Sequence, residues 1–179
     1  MSAATFRVGF VTGATPDKWA RIWRERRRDP LELVPVEQAD QEAGIRWGDL
    51  DMSFVRLPID REGLHCIPLY DEVPVAVAGR EHYLAAADEV THDEFADDEL
   101  DWSAISAEEA VAVVASGQGV AVMPMSLARL HHRKDAIYRP VPDLPPTTVG
   151  LAWLVDNQDE RVQVFIGIVR GRTERSTRT

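Results

Sequence analysis

The chain has 179 residues, 45% of them hydrophobic, which is enough for one domain or two small lobes whose core needs no staples. Its 20 Lys and Arg against 30 Asp and Glu leave a net charge of -10, which argues against a phosphate-neutralising surface, so no direct nucleic-acid binding is expected. The single cysteine, Cys66, cannot close an internal disulfide, no apolar run reaches the ~18 residues of a membrane span, and no signal-like segment opens the chain. A cytoplasmic location without a membrane partner is therefore expected.

In chain order, Phe6 to Val11 reads as a strand and Thr12-Gly13-Ala14-Thr15 as loop chemistry. Thr15 followed by Pro16 makes an N-cap and first-turn pair for a helix through Arg28, with Trp19, Ile22 and Trp23 on one face and Arg24 to Arg28 complementing the C-terminal dipole. Leu31 to Val36 is a second strand, Asp40 to Trp47 a short helix closed by Gly48, and Met52 to Val55 a third strand. Strands are also expected at Ile67 to Tyr70 and Val73 to Ala78, and the β-α-β-α-β alternation predicts a parallel sheet covered by helices. An acidic stretch follows to Leu100 and reads as a solvated face, because it lacks the glycine and the alternating ligands of a calcium loop. Ser106 and Glu109 form a capping box for a helix ending near Gly117, Val120 to Met123 is a buried strand, and Ser126 is expected to cap a short helix. Strands at Ile137 to Val141 and Val149 to Val155 precede a last helix that starts at Asn157, with Val162, Phe165, Ile166 and Val169 inward.

Two joints carry specific wording. Gly48-Asp49-Leu50-Asp51 leads into Phe54-Val55, and Gly117-Gln118-Gly119-Val120 leads through Ala121-Val122 to Pro124. With Pro68-Leu69-Tyr70-Asp71-Glu72 and Glu81-His82-Tyr83-Leu84, this pattern resembles the effector-binding domain of LysR-type transcriptional regulators over nearly the whole chain. The resemblance implies an α/β, periplasmic-binding-protein-like fold of two lobes joined by two crossover strands, near Val75 to Ala78 and Val149 to Trp153. Lobe I would be 5–78 plus 150–172, lobe II 79–149, and 173–179 a flexible tail. Because the first strand begins close to Met1, a stand-alone domain without the winged-helix DNA-binding part is expected. The family pattern is interrupted between His92-Asp93-Glu94-Phe95 and the helix ending at Gly117, so a shortened lobe II is expected, with the loss of a helix that faces lobe I.

By the same resemblance a small effector, often a carboxylate, would meet Thr12, Gly13, Ala14, Thr15, Arg56, Leu57, Gly79, Met123 and Pro124. Elementary chemistry supports part of this set, since amides and hydroxyls at a helix start attract an anion and an arginine at a strand end can add a charge-assisted bond. Two plainer roles stand beside it: Thr15 caps its helix, and Arg56 pairs with a surface acid. An exposed Arg56 would contribute little to folding, so Arg56→Ala is expected to leave stability nearly unchanged.

Catalytic candidates are weak. His65 and Cys66 are strand neighbours that point to opposite faces, His131 and His132 lack a third ligand, and no nucleophile elbow, phosphate loop or dinucleotide fingerprint occurs. No enzyme activity, metal or cofactor is expected. Two functions remain: a regulatory module that binds a small anionic metabolite, and an interaction module that dimerises through lobe I, using the first helix around Trp19, Ile22 and Trp23 and the strand from Ile67 to Tyr70.

Overall fold

Every residue from Met52 to Arg56 is buried, the mark of a strand covered on both faces, and this strand, β3, organises the first of two units. A computed structural model describes residues 4–171, so Arg172 and the expected tail at 173–179 lie outside the described residues. One unit holds the described residues up to Tyr70 together with those from Val149 on, and the other holds Asp71–Thr148.

In the first unit, β1 (Phe6–Val11) lies between β2 (Leu31–Val36) and β3 (Met52–Arg56), parallel to both, in register Val8↔Leu33 and Val8↔Met52. The sheet continues through β8 (Thr147–Leu154) to β4 (Leu64–Glu72) at its edge. Only the first three strands follow the all-parallel expectation, because β8 runs antiparallel to β3. On one face, α1 (Asp17–Arg26) and α5 (Glu160–Val169) cover a core in which Trp23 stacks on Phe6 at 5.0 Å and Trp19 on Phe54 at 5.2 Å. On the other, α2 (Ala43–Arg46) brings Ile45 against Val55, Leu64 and Ala152.

The second unit is built on a fully antiparallel sheet, with β5 (Pro74–Gly79) between β6 (Ala121–Pro124) and β7 (Ala136–Pro140). Sequence had assigned β5 to the first lobe. Its six buried residues instead pair with β6 and β7, so it is the centre of the other sheet. One core packs Val75, Val77 and Met123 under α3 (Ala107–Ala115) and α4 (Met125–Leu130), and a second gathers Ala76, Leu84, Phe95 and Val120. The acidic stretch forms three 3-10 turns, Tyr83–Ala86, His92–Glu94 and Ala96–Asp98, the last two flanking the buried Phe95. Beyond them Glu99 and Val120 form an isolated parallel bridge.

Three caps differ from expectation. Pro16 occupies the cap position of α1 and its carbonyl accepts from Trp19 N and Ala20 N, so Thr15 makes no side-chain cap. Ser126 lies inside α4 and donates its hydroxyl to Glu72. Asp159, not Asn157, caps α5 by accepting from Arg161 N, while Asn157 receives the Asp159 N–H. The Ser106 cap holds, with its Oγ 3.1 Å from Glu109 N. Gly48 and Gly117 both adopt positive φ, 82° and 99°, as C-terminal helix stops require.

Candidate functional site

At the carboxyl ends of β1 and β3 several buried and half-buried polar contacts outside the ladders come together. Parallel register ends at Phe10↔Phe54, after which β1 turns away at Thr12 and Gly13, the latter at φ 95°. Thr12 stays tied to β2, its N–H and hydroxyl both reaching the Val36 carbonyl at 3.0 and 3.2 Å. Ala14 N then bonds Val11 O at 3.0 Å, closing the loop beneath α1.

Two residues on, β3 ends with Arg56, only 2% exposed. Its backbone is completed by a side chain. Arg56 N donates to Gln41 Oε1 at 2.8 Å and Gln41 Nε2 donates to Arg56 O at 2.9 Å, so the amide occupies the place of a neighbouring strand. The guanidinium donates to Gln38 Oε1 at 2.9 Å and to Thr12 O at 3.1 Å. This overturns the expectation of an exposed strand-end charge whose removal is harmless. A buried arginine that serves two acceptors leaves them unsatisfied when it is removed, which costs roughly 1–3 kcal/mol.

Of the expected residues in this unit, Thr12 and Arg56 are in direct contact, and Gly13 and Ala14 complete the same loop. Thr15 follows in the loop, exposed, and Leu57 packs partly against the Ile45 cluster. Gln38 and Gln41 escaped the sequence reading. No local pattern in the sequence marks them, because their partner on β3 is remote in the chain.

In the second unit Met123 is a core residue, buried among Val75, Val111 and Leu127. Pro124 pairs with Pro74 at the start of β5, whereas Gly79 pairs with Ala136 at its end. Gly79 is therefore roughly 13 Å along the strand from the residue opposite Met123, at ~3.3 Å per residue. The Glu72 carboxylate, buried, collects the hydroxyls of Ser126 and, at 3.3 Å, Thr147.

His65 lies against Trp153 at 5.5 Å while Cys66 turns to the Ile45 cluster, so the two do not pair. Burial raises the Cys66 thiol above its ordinary value, with Arg61 opposing, which makes it a poor nucleophile near neutral pH. Among the described residues no group of three His, Cys, Asp or Glu could hold a metal ion, and no helix is long and apolar enough to cross a membrane.

A family model described as LysR substrate binding domain matches residues 4–100 and 99–174. The two stretches meet inside the segment where the family pattern is interrupted. The Hca operon transcriptional activator HcaR of Escherichia coli (strain K12) is 34% identical over 88 residues, 47% of this chain and 30% of that protein. The match thus spans less than a third of that relative. The reduced form of the OxyR regulatory domain from Pseudomonas aeruginosa is similar with a TM-score of 0.73 at 23% identity, over 94% of this chain and 98% of that one. The effector binding domain of a BenM variant gives 0.78 at 18%, over 96% and 98%. At these identities the structural likeness establishes the fold, α/β and periplasmic-binding-protein-like.

Proposed function

Because the chain belongs to the LysR substrate-binding-domain family, we propose that it is a non-catalytic sensor module whose effector is a small anion, a carboxylate in the first instance. The observation that carries this reading is the buried Arg56 guanidinium, held at the carboxyl end of β3 beside the Thr12–Thr15 loop. In open α/β sheets ligands gather at that end of the strands, and a desolvated arginine gives a carboxylate two directed, charge-assisted bonds. The reading is centred on Thr12, Gly13, Ala14, Thr15 and Arg56.

The test is a thermal-shift screen against monocarboxylates, dicarboxylates, inorganic phosphate and amino acids, in the wild type and in Arg56→Met. A ligand at a hundred times its dissociation constant adds ~2.7 kcal/mol of stability. Since Arg56→Met is itself destabilising, the ligand-induced increment is compared, not the melting temperature. An increment that vanishes in the variant supports the reading, and one that survives places the site elsewhere.

The second reading is an interaction module that pairs with another copy, or with a longer regulator, through the first unit. It is favoured by β4, a nine-residue strand at the sheet edge with β8 as its one neighbour in the sheet, but weakened by α1, whose Trp19 and Trp23 are spent on their own core. A monomer in sedimentation at tens of micromolar would count against it.

A further inference from the structure

We propose that Gln41 and Gln38 are positioning residues that aim the Arg56 guanidinium, so that an anionic effector is read by an arginine already fixed at both ends; this rests on the anion-binding reading above. Gln41 is buried, and a buried amide is tolerated only when both its oxygen and its nitrogen are paired. Here one backbone residue satisfies both, Arg56 N–H meeting Oε1 and Arg56 C=O meeting Nε2, which also fixes which way the amide faces. The root of the arginine side chain is thereby clamped where β1 no longer supplies a ladder.

The other end of the side chain is held by the same turn. Gln38 opens the 3-10 turn Gln38–Asp40, and Gln41 N donates back to Gln38 O at 3.3 Å, so the two glutamines move as one piece. Gln38 Oε1 and Thr12 O then take Nη1 and Nη2. An arginine otherwise loses much rotamer freedom on binding, and holding its plane beforehand removes that cost from the binding step.

The experiment uses nitrogen-15 NMR of the arginine side chains in the full chain, with Arg56→Lys identifying the Arg56 signals and succinate as the probe anion. The wild type is expected to show separate, slowly exchanging Nη signals before any ligand is added. Gln38→Met, at an exposed position where folding is not at stake, should merge them and weaken succinate binding at least tenfold. Gln41→Met should speed hydrogen exchange of the Arg56 backbone N–H at least a hundredfold. In an Arg56→Lys background neither change should weaken succinate further, whereas a general loss of fold would weaken it equally in both backgrounds. Averaged Nη signals in the wild type, or separate signals that persist in Gln38→Met, would overturn the proposal. If the signals merge as expected but succinate moves nothing in the wild type, the positioning stands and the anion-binding reading falls.

Discussion

Among the described residues, Ser53 Oγ is the buried side-chain atom left without a hydrogen-bond partner. It sits in β3 opposite Gly9, where an added Cβ would lie 2.6 Å from that oxygen and 2.7 Å from Leu50 Cδ1. Two opposite predictions follow from this one pocket. Ser53→Ala removes an unsatisfied hydroxyl and should leave stability unchanged or raise it by about 1 kcal/mol in urea unfolding. Gly9→Ala overpacks the same space and should cost about 1–3 kcal/mol. A clear loss in Ser53→Ala would mean that the hydroxyl has a partner after all. Neither this site nor the burial of Arg56 was legible in the sequence. A strand's polar residue looks exposed when read by alternation, and nothing in Gln38-Ala39-Asp40-Gln41 announces that its amides turn back onto a strand 15 residues later.

Among the elements, local signals were readable when the competing partner was also local. Ser106 caps α3 as its capping box predicts, and both glycine stops fall where the helices end. Thr15 and Asn157 failed for a shared reason: the neighbouring residue offered a better geometry. The Pro16 carbonyl starts α1, and Asp159 gains both the Arg161 N–H and its guanidinium, the latter at 2.7 Å. Asp159→Ala should therefore cost about 1 kcal/mol by chemical denaturation, a typical capping loss, and Asn157→Ala less. The sequence offers the tryptophans of α1 to a dimer contact. Their stacking on Phe6 and Phe54 depends on strands that only the tertiary fold brings under the helix.

On the scale of the whole molecule, charge placement makes stability depend on pH in two windows. His92 is raised above its ordinary value, chiefly by its hydrogen bond to Glu99 at 2.7 Å. Its contribution is present below pH 6.5 and is lost as pH rises through the higher folded value. His92→Gln should consequently narrow the difference in stability between pH 5.5 and pH 8.5. Asp159 is lowered, chiefly by its hydrogen bond to Arg161, so its contribution is present above pH 3.8 and is lost as pH falls through the lower folded value. The family and the fold were legible because glycine stops and apolar runs are written contiguously. The boundary between the units was not, since β5 reads alike whichever sheet receives it.

In the proposed function a small anion is recognised at the carboxyl end of β3 by Arg56. The most direct measurement is an amide NMR titration with the tightest-binding anion of the thermal screen, or with succinate where none binds, in the wild type and in Arg56→Met. Saturable shifts concentrated at Thr12, Gly13, Ala14, Thr15 and Arg56 are expected, with their loss in the variant. No saturable shifts at these residues, or shifts that persist without the arginine, would contradict it.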